Sequence, residues 1–112
     1  MEQNVEKLSQ WLNTHIGHTL IIEKKELSDL DIVQFSLEAV DYRDAENVID
    51  DYLDSAVILK GHGSTQNKDG DLVPLPQPTY EIAVSGLHVD ANHEGSIQVD
   101  TERAKYVLSD QE

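Results

Sequence analysis

After residue 18 the apolar side chains fall at every second position, and that spacing commits most of the chain to pleated strands. Val33, Phe35, Leu37 and Ala39 alternate with Gln34, Ser36 and Glu38. Residues 31–42 therefore read as a strand with one face on a core and the other in water. Leu20 and Ile22 share a face in the β-branched run 19–27, and Ser28-Asp29 supplies turn chemistry before 31–42. The two segments predict a hairpin. Ala56 to Leu59 is a short apolar run bounded by Gly61 and Gly63, read as a buried strand over 55–60. Tyr80 to Val84 is a further strand. Ile97 and Val99 alternate, as do Ala104, Tyr106 and Leu108, predicting one last strand broken near 100–103, or two short ones.

The opening residues carry the helical period. Val5, Leu8, Leu12 and Ile16 form one stripe over 4–16, flanked by Trp11 and followed by Gly17 as a stop. Asn4 is the candidate N-cap. Val48, Ile49, Tyr52 and Leu53 suit a second, short helix near 44–53, although Glu46/Asp50 and Asp50/Asp54 are like-charge pairs that weaken it. The stretch 64–78, with Pro74, Pro76 and Pro78, reads as a loop, and so does the polar stretch 88–95. The expected architecture is α+β: an N-terminal helix packed on a mostly antiparallel sheet of about five strands. Residues 1–112 form a single small domain, with 109–112 frayed at its end.

Composition narrows the chemistry. There are 22 acidic residues against 8 basic ones, a formal charge of −14. Leu, Ile, Val and Phe still number 31 of 112 residues, above the roughly 20% below which a strongly charged chain stays disordered. Nucleic acid and anionic membrane surfaces are disfavoured, because phosphate binding needs clustered cations and only Lys24-Lys25 forms a pair. There is no cysteine, hence no disulfide, no thiolate zinc site and no thiol nucleophile. No apolar run reaches the ~18 residues of a membrane span, and the N-terminus has no signal-peptide pattern. Cytoplasmic location is the expectation.

Two constellations remain as candidate sites. The first is the stretch 38–54, where Glu38, Asp41, Asp44, Glu46, Asp50, Asp51 and Asp54 face Arg43 alone, a local charge of −6. Asp44, Glu46, Asp50, Asp51 and Asp54 are the expected docking residues for a protein partner, a basic one by charge complementarity. The second is the set of histidines. His88, Asp90 and His93, with Glu94 beside them and His62 as a further ligand from elsewhere in the chain, are the candidate ligands of a metal site, and no other cofactor is expected. His15 and His18 flank the helix end, where a protonated imidazole is favoured.

No catalytic pattern completes itself. Gly61-His62-Gly63-Ser64 lacks the third glycine of a dinucleotide loop and the Gly-Lys of a P-loop. Asn67 to Asp71 looks like the middle of a calcium loop, but the position of its bidentate glutamate falls on Pro76. The reading that follows is a non-enzymatic protein-interaction module using its acidic face or an uncovered sheet edge. A metal-binding protein or small metal-dependent enzyme is the alternative, and an inhibitor that mimics nucleic acid the second. An unpaired edge strand would also allow a homodimer.

Overall fold

The computed structural model describes residues 3–43, 55–66, 69–93 and 95–111. One helix opens the chain, α1 (Gln3–Asn13), and eight strands follow. They are β1 (Thr19–Glu26), β2 (Asp29–Arg43), β3 (Ala56–Gln66), β4 (Leu72–Pro74), β5 (Thr79–Ala83), β6 (His88–His93), β7 (Ser96–Asp100) and β8 (Lys105–Asp110). All belong to one antiparallel sheet of order β4-β3-β2-β1-β8-β7-β6, with β5 also on β3.

The alternation expected in the first hairpin holds from Val33 to Leu37 and shifts at a bulge before Ala39, after which Val40 packs on the core. Leu20 pairs Phe35 and Ile22 pairs Val33, and all four side chains are buried. Across the other side of β1, Ile22 pairs Leu108, which pairs Ile97 on β7. One sheet face is thereby apolar from β2 to β7. On it sit Val5, Leu8 and Leu12 of α1, each essentially inaccessible. Burial of such side chains contributes roughly 1.5–3 kcal/mol apiece. Trp11 packs against the edge of this core, half-buried.

The α+β expectation with about five strands is corrected to a mostly β fold, with one helix on eight strands among the described residues. Two unexpected strands, β6 and β4, a longer β3, and the separation of the last segment into β7 and β8 account for the difference. The polar stretch 88–95 contains β6: among its described side chains only Val89 faces the core, while His88 and Asp90 are exposed. The expected 64–78 loop contains β4, a three-residue strand whose side chains are all exposed. And β3 runs through Gly61 and Gly63 instead of stopping there. At both points the neighbouring chain comes close. A Cβ on Gly61 would lie 1.9 Å from the Ser36 carbonyl oxygen, and one on Gly63 would lie 2.7 Å from Phe35 Cδ2. The glycines leave room for the only phenylalanine, fully buried, beside a bulge in β2 between Leu37 and Ala39.

Smaller corrections follow from the same register. Asn4 lies inside α1, and its amide bonds β6 instead of capping the helix: Nδ2 donates to the Leu87 carbonyl, and the Val89 N–H donates to Oδ1. The end expected to fray places Ser109 and Asp110 in β8, paired with Ile21 and Leu20. The short helix expected near 44–53 lies outside the described residues.

Candidate functional site

The antiparallel pairing of β1 with β8 aligns Leu20 with Asp110. That register carries the last strand back to the turn after α1, where His15 and His18 stand. The Asp110 carboxylate is reached from both sides: His18 Nδ1 is 2.6 Å from Oδ2, and His15 Nε2 is 3.6 Å from the same oxygen. The other ring nitrogen of His15, Nδ1, is 2.7 Å from the Trp11 carbonyl oxygen. Trp11 stacks on the His15 ring with centroids 4.0 Å apart, and the His18 ring meets His15 edge-on at 5.7 Å. The side chains of His15 and Asp110 are 14% and 13% exposed, so water screens their interaction weakly.

Thr14 completes a hydroxyl–imidazole–carboxylate series, with Oγ1 at 3.0 Å from His15 Nδ1. It is not arranged for nucleophilic attack. The hydroxyl donates to the Trp11 carbonyl at 2.7 Å, a helix-end bond to backbone. Sequence alone marked His15 and His18 as a pair. Asp110 was not legible, because its partnership depends on a strand pairing across 92 residues.

The expected docking residues Asp44, Glu46, Asp50, Asp51 and Asp54 lie outside the described residues. Each charged side chain in the described part of that acidic stretch has a partner. Glu38 faces His62 at 3.3 Å, Lys60 bonds Asp41 at 3.4 Å, and Arg43 bonds Glu81 at 2.9 Å. The Tyr42 backbone N–H, and then the Lys60 ammonium, hold the Asp41 carboxyl below the usual carboxylate range. Of the expected metal ligands, His88 and Asp90 both stand exposed on β6. The His93 side chain lies outside the described residues. Among the described residues, no three His, Cys, Asp or Glu side chains are grouped to hold a metal ion.

A second surface has a different character. The β1–β2 ribbon continues past the core, and residues 25–32 are all exposed. Its tip is Leu27, 93% exposed and held at φ +55°. A non-glycine residue in that region is strained, and a leucine there gains no local hydrogen bond in return. Leu30 and Ile32 are exposed on the outer face of the ribbon, with Val107 beside them: Ile32 pairs Glu23, which pairs Val107. The opposite face of the ribbon carries Glu26, Asp29 and Asp31 against Lys24. Lys24 answers this charge from two sides, lying 3.7 Å from Glu26 and 5.9 Å from the centre of the Tyr106 ring.

Comparison with known proteins gives a family match across the whole chain, residues 1–112, to the YmzB-like proteins. The chain belongs to the YmzB-like family. The uncharacterized protein YmzB of Bacillus subtilis (strain 168) is 42% identical over 110 residues, covering 91% of each chain. No solved structure matches. Among the described residues, no helix is long and apolar enough to cross a membrane.

Proposed function

We propose that this YmzB-like chain is a protein-interaction module that docks through its β1–β2 ribbon. The carrying observation is Leu27, an apolar side chain left in water at a strained tip. Strain and exposure together cost the folded chain stability, and backbone outliers of this kind cluster at ligand-contacting positions. The surroundings support a partner of mixed character. Leu30, Ile32 and Val107 offer apolar contact on the outer face, and Glu26, Asp29 and Asp31 favour a basic partner on the other.

The sheet edges support this ribbon reading over strand addition. Three prolines interrupt the β4–β5 edge, and Asn4 together with a bulge between Asp90 and His93 breaks the β6 edge. These are the devices by which sheets discourage edge pairing.

The test compares capture of partners from the source cell's lysate by wild type, by Leu27→Asp/Leu30→Asp, and by Asp50→Lys/Asp51→Lys. Loss confined to the leucine variant, with salt sensitivity in the wild type, supports the ribbon. Loss confined to the aspartate variant relocates docking to the acidic stretch. Equal capture by all three removes both surfaces from consideration.

A further inference from the structure

We propose that a cavity beside the ribbon tip binds a small phosphate monoester, with Lys25, Arg103 and Lys105 around the phosphate. The sequence spreads its eight basic residues thinly, and only Lys24-Lys25 are neighbours. The sheet gathers them. β1 pairs β8 antiparallel, and the register sets Lys25 directly opposite Lys105. β8 begins at that point, so the β1–β2 ribbon overhangs the turn between β7 and β8. A cavity of about 270 Å³ lies between them, lined by Lys25 and Leu27 from the ribbon and by residues 101–105 from the turn.

Three of the chain's eight cations thus meet at one cavity in a molecule of net charge −14. Among the described residues, Glu102 is the one carboxylate on its wall, which leaves two positive charges in excess there. Glu23, Glu26, Asp29 and Asp100, the nearest acids along the strands, do not line it. Lys25 and Lys105 oppose each other as like charges, an arrangement that weakens a strand pair. Among the described residues neither is in an ion pair. A bound anion removes their repulsion and accepts hydrogen bonds from both. A phosphate monoester carries about −1.5 to −2 charges near neutral pH and so matches the excess. A single carboxylate leaves one charge unanswered.

The turn that presents Arg103 and Lys105 is fixed by its own bonds. Thr101 Oγ1 accepts from the Arg103 and Ala104 N–H groups at 3.2 and 3.1 Å, and the Thr101 N–H donates to the Ala104 carbonyl at 2.9 Å. The Glu102 N–H donates to the Ser85 carbonyl. These backbone donors are satisfied within the fold, so side chains do the binding, and a turn already ordered lowers the cost of it. Leu27 and Ala104 offer apolar contact to the carbon stem of the ester. The volume stands at the small end of ligand pockets, which run from roughly 300 to 1,000 Å³. The acids along the adjoining strands repel a longer polyanion, which confines the site to a small one.

The experiment uses the full chain. Backbone amide shifts are followed by NMR during titration with inorganic phosphate, glycerol phosphate and acetate, at constant ionic strength and at pH 8, above the second phosphate pKa of about 6. Saturable shifts are expected at residues 25–27 and 101–105, with a Kd of about 1 mM or below for glycerol phosphate and no saturation with acetate. Lys25→Gln and Lys105→Gln each weaken binding about tenfold, the loss of one charge-assisted hydrogen bond. Glu102→Gln strengthens it. Lys7→Gln, on α1, leaves it unchanged. All four side chains are exposed, so the variants keep the fold. The inference is overturned if neither phosphate nor glycerol phosphate gives a saturable shift at these residues. It is also overturned if Lys7→Gln weakens binding as much as Lys25→Gln, since the field of the whole chain then accounts for it. Acetate binding as tightly as glycerol phosphate refutes it too, and so does a phosphoserine peptide binding over about tenfold more tightly, which makes the occupant a macromolecule. Lys105 lies off the ribbon, so Lys105→Gln separates this reading from the docking one: phosphate binding falls and partner capture stays.

Discussion

Adding a single methyl group tests the close approach of β2 and β3 most directly. Gly61→Ala would place its Cβ 1.9 Å from the Ser36 carbonyl oxygen, a backbone atom fixed in the β2–β3 ladder, at φ +154°. Gly63→Ala would place its Cβ 2.6 Å from Leu75 Cδ1 and 2.7 Å from Phe35 Cδ2. The second clash is with side chains, one of them half-buried and able to move. Overpacking of that kind costs about 1–3 kcal/mol. The first clash requires the strands to separate, and backbone strain of about 1–3 kcal/mol adds to the overpacking cost. A domain of this size loses ~4–8 °C in Tm per kcal/mol, so Gly63→Ala is expected to melt about 5–20 °C early, and Gly61→Ala lower still. Circular dichroism melts and urea titrations measure both. Leu75→Ala in the Gly63→Ala background should recover part of the loss, because the two substitutions share one clash. If Gly61→Ala melts within about 2 °C of wild type, or is milder than Gly63→Ala, close strand approach is not why glycine stands there.

Other outcomes follow from the same geometry. Leu27→Gly removes the left-handed strain and should stabilise by ~1 kcal/mol, seen as a higher Tm, while partner capture falls. Asn4→Ala removes two hydrogen bonds to the β6 edge and should cost about 1–2 kcal/mol, with concentration-dependent association in sedimentation as the edge is uncovered. Burial pushes the Tyr80 phenol well above its ordinary value, helped by Tyr106 and Asp31. Burial raises Tyr106 too, helped by Glu26. A phenol raised in the folded state contributes stability that is complete below its unfolded value of about 10 and is lost as pH climbs past it. Tm should therefore fall from pH 9 to 11, and Tyr80→Phe should flatten that fall. An equal slope in the variant would contradict the assignment.

Legibility varied with how many neighbours each residue needed. The helix stripe Val5, Leu8 and Leu12 and the alternation Val33, Phe35, Leu37 declare themselves, because each element buries one face whatever strand or helix lies opposite. β6 was opaque because it shows the core a single apolar side chain, Val89, and β4 because all its side chains are exposed. The candidate sites divide in the same way. His15 and His18 are visible at a helix end, but the carboxylate they share is supplied by a strand pairing. Leu27 was read as part of a strand leading into an ordinary turn, since solvent exposure and φ have no local signature in an apolar residue.

Local periodicity by itself determined that this chain makes one amphipathic helix followed by pleated strands, because side-chain direction follows from backbone repeat alone. It also carried the expectation that phosphate-rich partners are disfavoured, since net charge needs no fold. Tertiary structure decided the number of strands, the passage of β3 through its glycines, and the meeting of His15, His18 and Asp110. Those depend on which residues lie opposite one another, and strand register is set by packing across the whole sheet, not within any one segment.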